Sequence, residues 1–258
     1  MKWTAVNNYE EMSRTTAERI FNVISGKLRC GKFVNVGMAT GNTMIRLYEM
    51  LAGMLNKSGL DLSCFYTFNL DEYVGGDGKN VLPGNPLSYR KYMKEKLFDF
   101  IDPDLGFRLE NMFFPDAENP EEYDNKIIDF GGLDFQLLGI GFNGHIAFNE
   151  PISEEEISSD DFAKLPSHIV KLDSLTLQTN ARLTAGNDMN AVPRKAVTMG
   201  MKSILNAKEI TLLACFSEQT APLKVIKSGR ISSELPASFL LGHHNSEIVY
   251  TLDKISLE

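Results

Sequence analysis

Apolar residues recur at helical spacing near the start of the chain. Within NYEEMSRTTAERIFNVISGKL (8–28) they fall three or four positions apart, which predicts an amphipathic helix. These apolar positions are Ala17, Ile20, Phe21, Ile24 and Leu28. Asn8 and Glu11 have the spacing of a capping box, so we expect the helix to begin beside them.

Short apolar runs alternate with further helical stretches along the rest of the chain. Buried strands are predicted at 33–38, 64–70, 133–141, 195–200, 209–216 and 246–252. Helical stretches lie at 43–55, 86–98 and 120–130, and the segments 203–207 and 221–229 separate the last three strands. This alternation indicates βαβ units. We therefore predict an α/β fold, a single domain over residues 1–258 with a mainly parallel sheet flanked by helices.

Two longer loops interrupt the alternation. GGDGKNVLPGN (75–85) is rich in glycine and turn residues, and SEEEISSDDFAKLPS (153–167) is acidic. Long loops beside strand ends often serve as lids or binding loops. Solvated surface loops fit this composition equally well, so both interpretations stand at this point.

The composition is that of an ordinary globular protein with an acidic balance. The 258 residues are 43% hydrophobic and carry a formal net charge of −8 at pH 7. This sign, with acidic and basic residues mixed along the chain, argues against a nucleic-acid or anionic-membrane partner. An anionic substrate would have to be drawn by a local cluster of donors, because the overall field opposes it.

Three features predict a cytoplasmic protein. The N-terminal residues lack an apolar signal core, and no apolar run approaches the ~20 residues that a membrane span needs. Cys30, Cys64 and Cys215 are odd in number and far apart. Because two of them lie in apolar, strand-like stretches, we expect buried thiols in a reducing compartment.

Polar residues follow three of the predicted strands, where an open parallel sheet binds its ligands. Thr40, Gly41, Asn42 and Thr43 form a small-residue turn that opens a helix. Free backbone N–H groups and hydroxyls there could seat an anion or a phosphate. A tight turn capped by threonines is the commoner meaning of such a segment.

Two adjacent carboxylates, Asp71 and Glu72, follow the strand at 64–70. Neighbouring strand residues point to opposite faces, so at most one of the two faces a given ligand. A desolvated carboxylate with a suitable pKa can act as a base toward a carbon-bound proton. Capping of a turn is the simpler alternative.

The segment GIGFNGHIAFNEP (139–151) places His145 near Asn143 and Glu150. Histidine can shuttle protons near neutral pH, and a neighbouring carboxylate can orient it and stabilise its charged form. The glycines of this segment permit a sharp backbone path. At the ligand edge of a sheet, this grouping favours a functional histidine over a structural one.

Five segments resemble the glucosamine-6-phosphate deaminase family, whose members are also called isomerases. They are FNLDEYVG (68–75), NPLSYRKYM (85–93), GIGFNGHIAFNEP (139–151), TNAR (179–182) and VPRKAVTMG (192–200), in the family's order. The GHIAFNEP part is highly specific, and the resemblance covers most of the chain. It implies a modified Rossmann-like fold and a cofactor-free reaction of amino-sugar catabolism. In that reaction, glucosamine 6-phosphate and water become fructose 6-phosphate and ammonia.

The resemblance also implies roles for residues near the reacting atoms. Asp71 would be the base that moves a proton between carbons 2 and 1, with Glu72 beside it. His145 would assist opening of the pyranose ring, and Glu150 would hold and tune it. No step needs a metal, and His243-His244 has no partner at metal-ligand spacing.

For the phosphate group, the resemblance implies the Thr40–Thr43 turn together with Arg182, whose fork suits phosphate. Tyr89 would lie in a mobile lid segment. The partner implied is a small sugar phosphate. The family includes hexamers and monomers, so a homo-oligomer is an open alternative.

The chain departs from many relatives at two of these sites. Asn143 replaces an aspartate, which should leave Glu150 as the single charge beside His145, although the amide can still orient the ring. Gln219 replaces a lysine that contacts phosphate, so either Arg182 and the turn suffice or a lysine such as Lys224 substitutes. The segment before TNAR lacks the basic pair of enteric members, and we expect no activation by an N-acetyl sugar phosphate.

Other functions remain as alternatives at this point. Galactosamine 6-phosphate differs in the configuration of one hydroxyl, and the motifs around Asp71 and His145 do not discriminate against it. A non-catalytic sugar-phosphate sensor is disfavoured because the fold's first strand is expected to begin by residue 33, which leaves no room for a helix-turn-helix domain. A 6-phosphogluconolactonase is disfavoured by the FNLDEYVG and GHIAFNEP segments.

Overall fold

The computed structural model describes all residues, 1–258, and places ten strands in two sheets. Seven of them form a sheet in the order β1-β10-β9-β6-β2-β3-β5, in which every pairing is parallel. The other three form a small antiparallel sheet in the order β4-β8-β7. The strands are β1 (Lys2–Val6), β2 (Val34–Met38), β3 (Phe65–Asn69), β4 (Asp71–Val74), β5 (Met112–Phe113), β6 (Phe135–Gly139), β7 (His168–Lys171), β8 (Lys195–Thr198), β9 (Ile210–Ala214) and β10 (Ser246–Thr251).

Eight α-helices connect and flank the strands, with several short 3-10 turns between them. The helices are α1 (Tyr9–Leu28), α2 (Ile45–Ser58), α3 (Tyr89–Lys96), α4 (Pro120–Asp129), α5 (Ser159–Phe162), α6 (Ser174–Thr184), α7 (Met201–Leu205) and α8 (Thr220–Lys227). The mainly parallel, helix-flanked α/β sheet predicted from the hydrophobic pattern is confirmed.

The predicted start of α1 is confirmed, but the capping box is half formed. The Asn8 side chain accepts a hydrogen bond from the Glu11 backbone N–H at 3.0 Å. The Glu11 carboxylate accepts from the N–H of Asn7 instead of returning to Asn8. The acidic first turn suits the positive end of the helix dipole.

The order of the large sheet reverses between β2 and β6. From β2 the chain moves outward through β3 to β5, whereas β6, β9 and β10 extend the sheet on the other side. Ligands of open α/β sheets bind at such a reversal, beyond the carboxyl ends of the strands. The Thr40–Thr43 turn follows β2 and the GHIAFNEP segment follows β6, so both lie at this point.

The small sheet was not foreseen from the sequence. The KAVTMG strand was predicted for the main sheet, but β8 lies between β4 and β7 and pairs antiparallel with both. Asp71 and Glu72 do not end β3; they begin β4, directly opposite Thr198 and Val197. With α6, which was also not predicted, this sheet encloses a second hydrophobic cluster that includes Tyr73 and Phe148.

The strand β1 (Lys2–Val6) was not predicted from the sequence, where the strand at 33–38 was the first to be recognised. β1 pairs with β10 at the edge of the large sheet. Only Val6 of this strand is fully buried, so the segment lacks the continuous apolar run that marks the central strands.

The expectation of buried thiols is wrong. Cys30 lies in the turn after α1 and Cys64 just before β3, and both are exposed, while Cys215 is half-buried. No helix has the length and apolar character required to cross a bilayer.

Candidate active site

A cavity of about 470 Å³ opens where β2, β3 and β6 end. This volume lies in the range typical of small-molecule sites. Nine of the residues singled out from the sequence line it, while Glu72, Glu150 and Arg182 do not. The nine are Thr40, Gly41, Asn42, Thr43, Asp71, Tyr89, Asn143, His145 and Gln219. No residue of the two long loops, 75–85 or 153–167, is among the lining residues.

Asp71 presents a buried carboxylate to this cavity. Its Oδ1 accepts hydrogen bonds from the Thr198 hydroxyl at 2.5 Å and from the Phe148 N–H at 3.1 Å. Burial raises the pKa of Asp71 to about 7, although the Thr198 hydrogen bond and the charge of His145 oppose that rise. The carboxylate is therefore tuned for proton transfer near neutral pH.

Glu72 points away from the cavity and fixes the start of α3. Its carboxylate accepts from the N–H groups of Tyr89 and Arg90 at 3.0 Å and from the Ser88 hydroxyl at 2.8 Å. The expected position beside the base is correct along the chain, but the side chain faces the opposite side of β4. A buried carboxylate at a helix start is stabilised by the unpaired N–H groups there.

His145 and Glu150 form the second chemical group of the site. Glu150 Oε2 lies 3.2 Å from Nδ1 of His145, and Glu150 Oε1 accepts from the Asp173 N–H at 3.1 Å. Burial would raise the pKa of Glu150, but the hydrogen bond and charge of His145 outweigh it and hold the value at about 2. The partner of His145 is therefore a carboxylate throughout the neutral range, while Nε2 of His145 makes no hydrogen bond to the protein.

Asn143 does not orient the imidazole ring, contrary to expectation. Its Nδ2 donates to Glu150 Oε2 at 2.8 Å, and its Oδ1 accepts from the backbone N–H of His145 at 3.2 Å. The ring is instead contacted by Thr176, whose hydroxyl lies 3.3 Å from Nδ1. Asn143 thus positions Glu150, which in turn positions the histidine.

The glycines around His145 have separate roles. A Cβ at Gly141 would lie 2.4 to 2.6 Å from three atoms of the imidazole ring, so this glycine provides the space that the ring occupies. Gly144 has φ +88° and would also meet Leu235. Gly139, the first glycine of the segment, has neither a positive φ nor a close neighbour. The expectation that all three glycines are needed for a sharp backbone path is therefore wrong.

Ala147 adopts a left-handed conformation with φ +52°, uncommon for a residue with a Cβ. The next residue, Phe148, directs its N–H at the Asp71 carboxylate. Ala147 lies in the segment that joins His145 to the N–H donor of Asp71, and strained backbone of this kind is common at functional sites.

The Thr40–Thr43 turn offers backbone donors at the other end of the cavity. The N–H groups of Gly41, Asn42 and Thr43 make no backbone hydrogen bond. Gly41 has φ +105°, and its carbonyl accepts from the Tyr92 hydroxyl at 2.7 Å. Three free N–H groups in succession before a helix form a suitable anion seat.

Arg182 and Gln219 do not have the free side chains expected of phosphate ligands. Arg182 bonds Glu218 at 2.9 Å, and its guanidinium lies 5.6 Å from the ring centroid of Phe142, which lines the cavity. The Gln219 amide is engaged by the protein: Oε1 accepts from the N–H groups of Cys215 and Phe216, and Nε2 donates one hydrogen bond to the Ile140 carbonyl.

Lys224, considered as a substitute for the missing lysine, is also positioned elsewhere. Its Nζ donates to the backbone carbonyl of Glu258 at 2.7 Å. It is not among the residues that line the cavity. Of the two alternatives left open by Gln219, substitution by Lys224 is therefore the one that this geometry does not favour.

Tyr89 belongs to an aromatic wall between the two ends of the cavity. Its ring packs on Phe148 with centroids 6.0 Å apart, and its hydroxyl lies 3.3 Å from that of Tyr73. Asn180 of α6 donates to the same Tyr73 hydroxyl at 2.8 Å. These contacts join α3, the small sheet and α6.

Thr198 and Thr176 are the site residues that the sequence did not reveal. Thr198 stands within the VPRKAVTMG segment but was given no role there, and Thr176 belongs to none of the five segments; both reach the site through tertiary structure. Thr198 pairs with Asp71 only because β4 and β8 are antiparallel. No group of three His, Cys, Asp or Glu residues is arranged to hold a metal ion, and the buried His243 contacts the Ala207 carbonyl.

Comparison with known proteins identifies relatives that match along the whole chain, although no protein-family model matches. A glucosamine-6-phosphate deaminase of Clostridium acetobutylicum is 38% identical over 251 residues, which cover 96% of each chain. One of Thermoanaerobacter sp. is 36% identical over 263 aligned positions, covering 100% of this chain and 95% of the relative.

Solved structures extend the comparison. A monomeric glucosamine-6-phosphate deaminase has a TM-score of 0.87 and 31% identity over 100% of both chains. A 6-phosphogluconolactonase from Plasmodium vivax has a TM-score of 0.64 at 19% identity, over 96% of this chain and 89% of the other. The latter similarity is one of fold alone.

Proposed function

The chain belongs to the glucosamine-6-phosphate deaminase family, and we propose that it converts glucosamine 6-phosphate and water into fructose 6-phosphate and ammonia. The observation that carries this proposal is the buried Asp71 carboxylate, which has a pKa of about 7 and lines the same cavity as His145. An aldose–ketose isomerisation needs a base with a pKa near neutral pH to remove a carbon-bound proton, and ring opening needs a group that transfers a proton to the ring oxygen.

Asp71 and His145 divide the chemistry between them. His145, held by the Glu150 carboxylate through Nδ1, leaves Nε2 free to exchange a proton with the ring oxygen during ring opening. In the open-chain sugar, Asp71 takes the proton from carbon 2 and returns it at carbon 1, while one proton passes from the amine nitrogen to the aldehyde oxygen. Carbon 1 becomes a hydroxymethyl group, and a C=N bond is left at carbon 2. Water adds to that carbon and ammonia leaves, so the atoms balance and no electron acceptor is needed.

The rest of the cavity fits a sugar phosphate. The free N–H groups of Gly41, Asn42 and Thr43 offer donors to phosphate oxygens. Arg182 could join them after leaving Glu218, since its pair is exposed and therefore weakly held. We assign Tyr89 to the aromatic wall along which the sugar lies and Gln219 to the support of the adjoining Cys215–Phe216 turn.

We propose that residues 1–258 form a single domain that carries the sugar-phosphate site. The main hydrophobic cluster has 51 buried residues, of which Val6 is the first along the chain and Ile255 the last. Asp71 is bonded to Thr198 of the same chain, and His145 lies against Glu150. The similar solved structure is that of a monomeric enzyme. Phosphorylated sugars are cytoplasmic metabolites, so the cytoplasm is the proposed site of action.

The test is to incubate the purified protein separately with glucosamine 6-phosphate and galactosamine 6-phosphate and to follow ammonia and ketose phosphate. We expect turnover of the gluco sugar, lost in Asp71→Asn. Turnover of the galacto sugar alone would retain the chemistry and change the substrate. Binding without ammonia release from either sugar would contradict the proposal and favour a sensor.

A further inference from the structure

The cavity wall carries little positive charge for a site that is to hold a phosphate. Gln219 is neutral and its amide is engaged, while Arg182 does not line the cavity and is paired with Glu218. The protein as a whole has a net charge of −8. A dianionic substrate therefore needs a local cation, and among the lining residues Lys96 is the one with a permanent positive charge.

Lys96 is placed on the face of α3 that borders the cavity. Tyr89, Tyr92 and Lys96 follow at positions i, i+3 and i+7, and all three line the cavity. Residues at this spacing share one helix face. The helix rises ~1.5 Å per residue, so this face runs about 10 Å along the cavity, from Tyr89 near Asp71 past the Thr40–Thr43 turn.

Tyr92 fixes this helix face against the anion seat. Its hydroxyl donates to the Gly41 carbonyl, and its ring packs at 6.5 Å on Tyr48, which itself bonds the Ala39 carbonyl. Lys96 comes one turn later. Because helical side chains lean toward the N-terminus, its stem extends back toward Tyr92 and Gly41.

The neighbouring lysines of α3 are used in other ways. Lys91 pairs with Glu95 and Lys94 pairs with Asp99. Lys96 is half-buried and has no carboxylate within 4.0 Å in any ion pair of the chain. Its ammonium group is therefore available, and no bond within the protein must break before it meets an anion.

We propose that Lys96 is a phosphate-binding residue that supplies, from α3, the positive charge absent at Gln219. This inference rests on the proposed function for the identity of the ligand, a sugar phosphate. It predicts that recognition of the phosphate depends on α3 as well as on the Thr40–Thr43 turn.

The experiment is calorimetric titration of fructose 6-phosphate into the wild-type protein, Lys96→Met and Lys94→Met. Lys94→Met is the matched control, since it removes the same charge from the same helix but does not touch the cavity. We expect affinity to fall about tenfold or more in Lys96→Met, the scale of a lost charge-assisted hydrogen bond. Lys94→Met should bind as the wild type does, and Lys96→Arg should recover most of the affinity.

Equal affinity of Lys96→Met and the wild type would overturn the inference, as would equal losses in both lysine variants. An absence of any wild-type binding would overturn it as well. Steady-state kinetics with glucosamine 6-phosphate provide a second readout, in which KM should rise in Lys96→Met with little change in kcat. If wild-type binding depends on Lys96 but no ammonia is released, the proposed function fails and the phosphate assignment stands.

Discussion

The two ends of the cavity are built on opposite plans. At the Asp71 and His145 end, two buried carboxylates have fixed partners. The carboxylate of Asp71 accepts from the Thr198 hydroxyl, and that of Glu150 lies against His145. At the end proposed to bind the phosphate, the donors are unpaired backbone N–H groups and long side chains near solvent. There Arg182 is paired with an exposed carboxylate instead of facing the cavity.

This difference separates two physical tasks. A base for a carbon acid must be held near its productive geometry and at the right pKa, and burial with fixed hydrogen bonds achieves both. A phosphate is highly charged and can order flexible cations on arrival. We therefore expect substitutions at the first end to alter kcat and the pH profile, and substitutions at the second to alter KM.

The largest effect is expected for Asp71→Asn, which should lower kcat by about 10²–10⁴-fold. The same change should stabilise the protein. The folded state keeps a proton on Asp71 up to a pKa of about 7, whereas the unfolded chain releases it near the ordinary value of 3.8. The wild type thus loses stability as pH rises through this window, and asparagine does not.

Chemical unfolding at pH 4 and pH 8 measures that gain. The free energy of unfolding of Asp71→Asn should exceed that of the wild type by about 1–4 kcal/mol at pH 8, with a much smaller difference at pH 4. An equal difference at both pH values would show that folding does not raise the pKa of Asp71.

Gly141→Ala should be the next most damaging change. The added Cβ would occupy the space of the His145 imidazole, at 2.4 to 2.6 Å from its atoms, and would push the ring from Glu150. A misplacement of this order can cost about 10²-fold in rate. Gly139→Ala is the matched control because its Cβ meets only Met44, at an ordinary 3.5 Å; equal kcat values for the two variants would contradict the role given to Gly141.

Thr198→Val tests the tuning of the base with a smaller effect. Loss of the hydroxyl removes the strongest influence that opposes the rise caused by burial, so the pKa of Asp71 should increase from about 7. The midpoint of the rise in kcat/KM with pH should move about one pH unit toward alkaline pH. The activity at pH 7 should then fall roughly fivefold, because a smaller fraction of Asp71 is ionised. Thr198→Ser retains the hydroxyl and should retain the wild-type profile; a matching shift in both variants would assign the effect to packing.

The contrast between the two ends also explains what the sequence could reveal. The parallel strands and the turns after β2 and β6 follow from local apolar runs and glycine-rich segments, so their common location was predictable. The small sheet was not, because Asp71 meets Thr198 through an antiparallel pairing of residues 127 positions apart. Likewise, the engagement of Gln219 with Ile140 and the freedom of Lys96 are properties of side-chain contacts, which no residue pattern records.

The smallest effect, and the one that best separates the two ends, is expected for Glu218→Gln. Glu218 holds Arg182 beside the cavity, so a phosphate must compete with this carboxylate for the guanidinium. Exposed pairs of this kind are weak, and their loss should lower KM for glucosamine 6-phosphate by about two- to fivefold. The value of kcat should not change, because the pair lies away from Asp71 and His145. Glu234→Gln, which removes the same charge where no ion pair is made, is the matched control. An unchanged KM in Glu218→Gln would mean that Arg182 does not reach the phosphate, and recognition would then rest on the Thr40–Thr43 turn and α3.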